Sequence, residues 1–169
     1  VFVIDTLVRE IFTRITYYLL KKDNSGLYSY TNELFSSEKN NLDLQYQNHV
    51  AMSKILFHEF ETLKHHPVME TIIKMQYLSL METTYDENFM HRSKPGYINW
   101  AIFHSYNYGY EKLGHSLFNH YFNSLQVKYQ EHPIPSLYGF INLSETMNNL
   151  GMYHKAEKVL IRSHQLYRE

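Results

Sequence analysis

Residues 138–160, YGFINLSETMNNLGMYHKAEKVL, decide the fold of this chain. Apolar residues recur at helical spacing on both sides of one glycine, namely Phe140, Leu143, Met147 and Leu150 before it and Tyr153, Ala156 and Leu160 after it. The interruption at Gly151 predicts two antiparallel helices joined by a tight turn, with Ser144 and Ala156 where the backbones approach closely. Such a hairpin buries its apolar face only by stacking on neighbours, which indicates a binding scaffold more than an enzyme.

Length and composition indicate a single helical domain over residues 1–169. The chain carries 16 basic and 17 acidic residues and no cysteine. The balanced charge gives no indication of direct nucleic-acid binding by this segment. Because the chain has no cysteine, disulfide, thiol and Cys-ligated zinc chemistry are excluded. Charged residues interrupt the apolar stretch from Val1 to Leu20, so we expect a soluble amphipathic helix there. The absence of cysteine fits a reducing compartment, and we expect a cytoplasmic protein. The missing initiator Met and the helical pattern that continues to Glu169 suggest a fragment of a longer protein.

The scarcity of glycine and proline favours long helices and no strand. The apolar stripes predict eight helices, over residues 2–22, 27–36, 42–64, 68–85, 97–113, 115–129, 136–150 and from 152 to near the end. We expect residues 86–96 to be irregular, Pro67 to lie in the first turn of the fourth helix, and Ser136 to cap the seventh. The Leu113-Gly114 pair matches Leu150-Gly151, and it predicts two repeats, over residues 97–130 and 136–169.

The segment from Ser136 to Tyr167 resembles a tetratricopeptide repeat (TPR). The matching residues are Phe140, Leu143, Ser144, Met147, Leu150, Gly151, Tyr153, Ala156 and Leu160. Residues 97–129 resemble a degenerate copy, in which Asn119 stands where the family has alanine. The resemblance implies an all-α, right-handed superhelix of antiparallel helix hairpins, a TPR-like α-solenoid of about eight helices.

A second resemblance covers the start of the chain. Residues 17–24, YYLLKKDN, followed by a short and then a long helix, are arranged as in the sensor halves of Gram-positive peptide-pheromone regulators, the Rap, PlcR, Rgg and PrgX group. In that family a DNA-binding helix-turn-helix often precedes the sensor half. The resemblance therefore implies a peptide ligand and a regulatory role.

In tetratricopeptide arrays the first helix of each pair lines the concave face. The resemblance thus implies a peptide-binding groove formed by His104, Tyr108, Glu111, Tyr138, Ile141, Asn142, Glu145 and Asn149. An asparagine carboxamide can donate to and accept from a peptide backbone at once. A structural role for Asn142 is an equal alternative, and Asn148 and Asn149 also suit the end of a helix before Gly151.

Catalytic and metal chemistry find little support in the sequence. His58, Glu61 and His65 share one face of a predicted helix, but a solvated polar face explains them better than a metal site, and no HExxH motif occurs. No phosphate loop or nucleophile elbow is present. We therefore expect no catalytic residue, no metal and no cofactor.

These patterns predict a non-catalytic domain that binds a peptide or protein segment, as the regulatory or sensor part of a bacterial regulator. The alternative is a structural adaptor that docks a folded protein partner in a larger assembly. A homodimer is compatible with both hypotheses. We expect no membrane contact and no direct nucleic-acid contact by this segment.

Overall fold

A computed structural model describes residues 2–36, 47–48, 50–52, 54–55, 67–82 and 90–169. All regular structure in these residues is helical, which confirms the all-α prediction for them. Seven helices have defined bounds: α1 (Phe2–Lys21), α2 (Asn24–Ser36), α3 (Pro67–Glu82), α4 (Met90–Asn107), α5 (Glu111–Lys128), α6 (Pro133–Asn149) and α7 (Tyr153–Arg168). Residues 47–48, 50–52 and 54 are also helical, and the remainder of the predicted helix over 42–64 lies outside the described residues.

The chain divides into two compact units, Val1–Thr83 and Thr84–Glu169. In the first unit, α2 packs against both α1 and α3. Its core consists of buried aliphatic and aromatic side chains, among them Ile11, Ile15, Leu27, Ile72, Ile73 and Tyr77. The Asp23 carboxylate accepts a hydrogen bond of 2.8 Å from the amide of Gly26 and so caps α2. Residues 24–26, which lie between the predicted helices 2–22 and 27–36, therefore form the first turn of this helix.

The second unit contains two helix hairpins, α4–α5 and α6–α7. The short connections 108–110, 129–132 and 150–152 make successive helices antiparallel, so α4 runs parallel to α6, and α5 to α7. Helix α6 packs against α4 and α5 as well as against α7, which joins the hairpins around one core. Phe122 and Phe140 meet edge to face across the α5–α6 contact, with ring centroids 6.0 Å apart.

Both hairpins of the second unit turn at a glycine with positive φ. Gly151 has φ +71°, as predicted, and Gly109 has φ +83°. In each turn the glycine amide bonds to the carbonyl three residues earlier, and the next amide bonds to the carbonyl five residues earlier. This pair of bonds is the Schellman motif, which ends a helix where a residue adopts the left-handed conformation.

The predicted turn at Gly114 is wrong. Gly114 lies inside α5 and is buried, and a Cβ built on it would come within 2.9 Å of the Tyr106 ring. Helix α4 ends at Asn107, not at Leu113, because Gly109 supplies the left-handed residue. Because Gly114 has no side chain, the Tyr106 ring can pack closely against α5 at this position. Gly114 therefore occupies in the first hairpin the position of Ala156 in the second, whereas Asn119 is exposed.

Two helix starts also differ from the sequence-based prediction. Helix α4 begins at Met90, so the Lys94-Pro95-Gly96 segment is helical and not irregular. Helix α6 begins at Pro133, with His132 as its N-cap, and Ser136 is buried inside the helix. Proline suits the first helical position because the missing N–H would have no partner there. Within the described part of the chain, no helix is long and apolar enough to cross a membrane.

Candidate functional site

Helices α4 and α6 expose large apolar side chains in the second unit. Trp100 on α4 is 42% exposed, and on α6 Tyr138 is 41% and Ile141 is 53% exposed. Trp100 is the only tryptophan in the chain, and Tyr97 supports it edge to face at a centroid separation of 5.4 Å. Helices α4 and α6 pack against each other, and large exposed apolar side chains on packed elements are candidates for a binding surface.

The register of the two helices follows from their common turn. Trp100 precedes Gly109 by the same number of residues as Asn142 precedes Gly151, so the two residues are equivalent in the two hairpins. Neighbouring turns of α6 carry the predicted groove residues around Asn142. We define the α4–α6 surface as Trp100, Tyr138, Ile141, Asn142 and Glu145.

The structure leaves the predicted groove residues of α6 accessible. Tyr138, Ile141, Glu145 and Asn149 are exposed, and Asn142 is partly exposed. The backbone carbonyl of Asn142 accepts a hydrogen bond of 2.8 Å from the Thr146 hydroxyl. This bond involves the main chain of Asn142 and not its side-chain carboxamide. The carboxamide is the group that we predict from the sequence to bind a peptide backbone.

The predicted groove residues of the first hairpin are placed differently. His104 and Tyr108 are buried, with ring centroids 5.2 Å apart, and Glu111 is exposed but lies at the start of α5. An open groove therefore does not contain the His104 and Tyr108 side chains. Because the first hairpin turns at Gly109 and not at Gly114, the α4 residue equivalent to Asn142 is Trp100, which is exposed. Two features of the sequence could have indicated this arrangement: Gly109, as the residue that ends the helix, and Trp100, as the only tryptophan.

Burial also determines the charge of His104. Removal from water lowers the pKa of this imidazole to about 4, so the ring is neutral at pH 7. A neutral, buried histidine that contacts Tyr108 acts as part of the packing of α4.

A second accessible feature is a cleft between α5 and α7 with a volume of about 380 Å³. Its lining combines apolar, polar and charged side chains: Phe122, Gln126, His154, Glu157, Lys158, Ile161, Arg162 and Gln165. Arg162 Nε donates to Gln126 Oε1 at 2.8 Å, and Lys158 Nζ lies 5.4 Å from the centre of the Phe122 ring. No residue of this cleft is among those predicted for the groove.

A cluster of three titratable groups joins α4, α5 and α7. Lys155 Nζ lies 2.6 Å from the Tyr106 hydroxyl and 2.7 Å from His115 Nδ1, and the hydroxyl and Nδ1 are 3.2 Å apart. The ammonium also lies 4.8 Å from the centre of the Tyr106 ring and 5.0 Å from that of Phe118. Burial raises the pKa of Tyr106 to about 12 and lowers the pKa of Lys155. The sequence does not indicate this cluster, because its members are far apart in the chain.

Among the residues that the structure describes, no group of three histidine or acidic side chains could hold a metal ion. His58, Glu61 and His65 lie outside those residues, so the absence of a metal site at that face stays a prediction. Comparisons of the chain with protein-family models, with curated proteins and with solved structures found no match.

Proposed function

We propose that this chain is a non-catalytic, TPR-like domain whose α4–α6 surface binds an extended peptide segment with large apolar side chains. The observation that carries the proposal is the exposure of Trp100, Tyr138 and Ile141 on two packed, parallel helices. Tryptophan and tyrosine are enriched among the residues that contribute most binding energy at interfaces, and Ile141 adds apolar area beside Tyr138 on α6.

Polar side chains beside Trp100, Tyr138 and Ile141 can form hydrogen bonds and ion pairs with an extended peptide. The Asn142 carboxamide can donate to a backbone carbonyl and accept from a backbone amide, so it holds a peptide regardless of the side chains. The Glu145 carboxylate lies one turn further along α6 and favours a basic side chain or a free N-terminus nearby. The preferred ligand is therefore an apolar peptide with at least one positive charge.

The stacking of the two hairpins supports the TPR-like part of the proposal. Helix α6 packs against both helices of the preceding hairpin, and both hairpins share one turn geometry. Repeated hairpins of this kind create extended surfaces for peptides and partner proteins. In keeping with its resemblance to pheromone regulators, we propose that the domain is the sensor part of a bacterial regulator.

A selection with linear peptides tests this function. A phage-displayed library of random linear peptides is selected on the full chain, and the enriched peptides are synthesised and titrated by calorimetry. Trp100 serves as an internal reporter, because a peptide that covers the indole shifts its fluorescence to shorter wavelength. We expect Ile141→Ala and Tyr138→Ala each to weaken binding by about 1–2 kcal/mol, or roughly 5- to 30-fold.

Val127, which is exposed on α5, provides the matched control. Val127→Ala should leave the affinity unchanged, and circular dichroism should confirm that all three variants are folded. The proposal fails if no linear peptide is enriched or if the selected peptides bind all three variants equally. Binding of folded proteins alone would favour the structural adaptor.

A further inference from the structure

Lys155 combines features that set it apart from an ordinary surface lysine. It lies in the first turn of α7, where the positive end of the helix dipole disfavours an ammonium ion. Its hydrogen bonds within the described residues join it to Tyr106 and His115, and no carboxylate forms an ion pair with it there. Burial lowers its pKa as well, so free amine is more available than on an exposed lysine.

The neighbouring imidazole is placed to accept a proton. Lys155 Nζ lies 2.7 Å from His115 Nδ1, and in the tautomer that carries its proton on Nε2 the Nδ1 lone pair faces the amine. His115 is exposed and Lys155 is partly exposed, so a small reagent can reach the pair. The rings of Tyr106 and Phe118, at 4.8 and 5.0 Å, hold the lysine beside the imidazole.

We propose that Lys155 is a site of acylation by small acyl phosphates, with His115 as the general base. A positioned amine next to a base is the arrangement by which lysine acts as a nucleophile. This site is separate from the α4–α6 surface, and its assignment does not depend on peptide binding.

The reaction balances with the acyl phosphate as its only co-reactant. The ammonium first loses a proton to solvent, and the Nζ lone pair then attacks the carbonyl carbon. As the new C–N bond forms, the second Nζ proton passes to His115 Nδ1. The C–O bond to phosphate breaks, inorganic phosphate leaves, and the imidazolium returns its proton to solvent. The product is an Nε-acyl-lysine, which carries no charge.

Acylation would change the junction of three helices. The ammonium donates to Tyr106 near the end of α4 and to His115 near the start of α5, whereas an acylated nitrogen has a single N–H. The acylated chain therefore loses at least one link between α7 and the preceding hairpin. Modification of Lys155 would thus loosen α7.

Time-resolved mass spectrometry of the full chain with acetyl phosphate tests the proposal. Lys158 is the internal control, because it lies on the same helix and contacts a Phe122 ring but has no imidazole partner among the described residues. We expect Lys155 to be acetylated at least about tenfold faster than Lys158, since a positioned general base contributes roughly 10²- to 10⁴-fold where its geometry is ideal. The difference in rate between Lys155 and Lys158 should disappear in urea, because unfolding separates Lys155 from His115.

The variant His115→Gln tests the role of the base. Acetylation of Lys155 should fall by about tenfold or more while that of Lys158 is unchanged, and the pH profile at Lys155 should lose its dependence on the imidazole. Equal rates at Lys155 and Lys158 in the folded wild-type chain would overturn the proposal, and this result needs no variant. An unchanged Lys155 rate in folded His115→Gln would overturn the assignment of His115.

Discussion

Gly109 and Gly151 occupy equivalent positions in the two hairpins of the second unit. Each ends its helix in the left-handed conformation, and the residues that follow them have nearly the same dihedral angles. Tyr110 has φ −86° and ψ 58°, and Met152 has φ −88° and ψ 58°. This equivalence aligns Trp100 with Asn142 and gives both hairpins one geometry, although the sequences around the turns differ.

Substitution of either turn glycine should destabilise the second unit. A Cβ meets no atom within 4 Å at Gly109 or Gly151, so the penalty comes from the backbone conformation alone. We expect Gly109→Ala and Gly151→Ala each to lower the free energy of unfolding by about 1–2 kcal/mol in urea denaturation, and Gly151→Val by at least as much. Gly96→Ala, at an equally open helical position, is the control and should be neutral or stabilising. Turn variants as stable as wild type would contradict the assignment.

Gly114 should be intolerant of a side chain for a different reason. A Cβ there would lie 2.9 Å from three atoms of the Tyr106 ring, and Lys155 and His115 hold that ring by hydrogen bonds. Overpacking costs about 1–3 kcal/mol, which exceeds the gain of about 1 kcal/mol from alanine's helix propensity. Gly114→Ala should therefore melt at a lower temperature than wild type in calorimetry. An increase in melting temperature would show that the ring can move away.

The buried imidazole of His104 should make stability depend on pH. Its pKa is about 4 in the folded chain, below the ordinary value of 6.5, so the unfolded chain binds more protons between these values. The free energy of unfolding should therefore fall by up to about 3 kcal/mol as the pH decreases from about 6.5 to about 4. Urea denaturation at several pH values measures the slope.

His104→Phe should flatten this pH dependence, because the apolar ring has no proton to gain. The same substitution at His164, which is exposed on α7, is the control. If His104→Phe retains the full slope, another group is responsible for it.

Asn142→Ala should reduce peptide affinity without reducing stability. The carboxamide is partly exposed on α6, and its loss would leave backbone groups of a bound peptide unpaired. We expect a loss of about 1–3 kcal/mol, or roughly 5- to 150-fold in Kd, by calorimetry with a selected peptide. Equal affinity, or a variant that unfolds more easily, would identify Asn142 as a structural residue.

Local patterns in the sequence were sufficient for the helical class and for the turn at Gly151. Apolar spacing and a left-handed glycine act within a few residues, so they can be recognised without the fold. For the same reason the predicted bounds 2–22 lie close to those of α1. The exposed residues of α6 also follow from the pattern, because the helix turns its apolar stripe inward.

The tertiary structure alone decided which of two glycines turns the first hairpin. Gly109 and Gly114 both suit a turn locally, and only the packing of Tyr106 against Gly114 separates them. That choice makes the exposed Trp100 the counterpart of Asn142, so the candidate surface includes Trp100 and not the buried His104. The contact of Lys155 with His115 was likewise invisible in the sequence, because it joins residues on different helices. Such relationships depend on how helices stack, and the free energy of stacking comes from non-local contacts that no short pattern encodes.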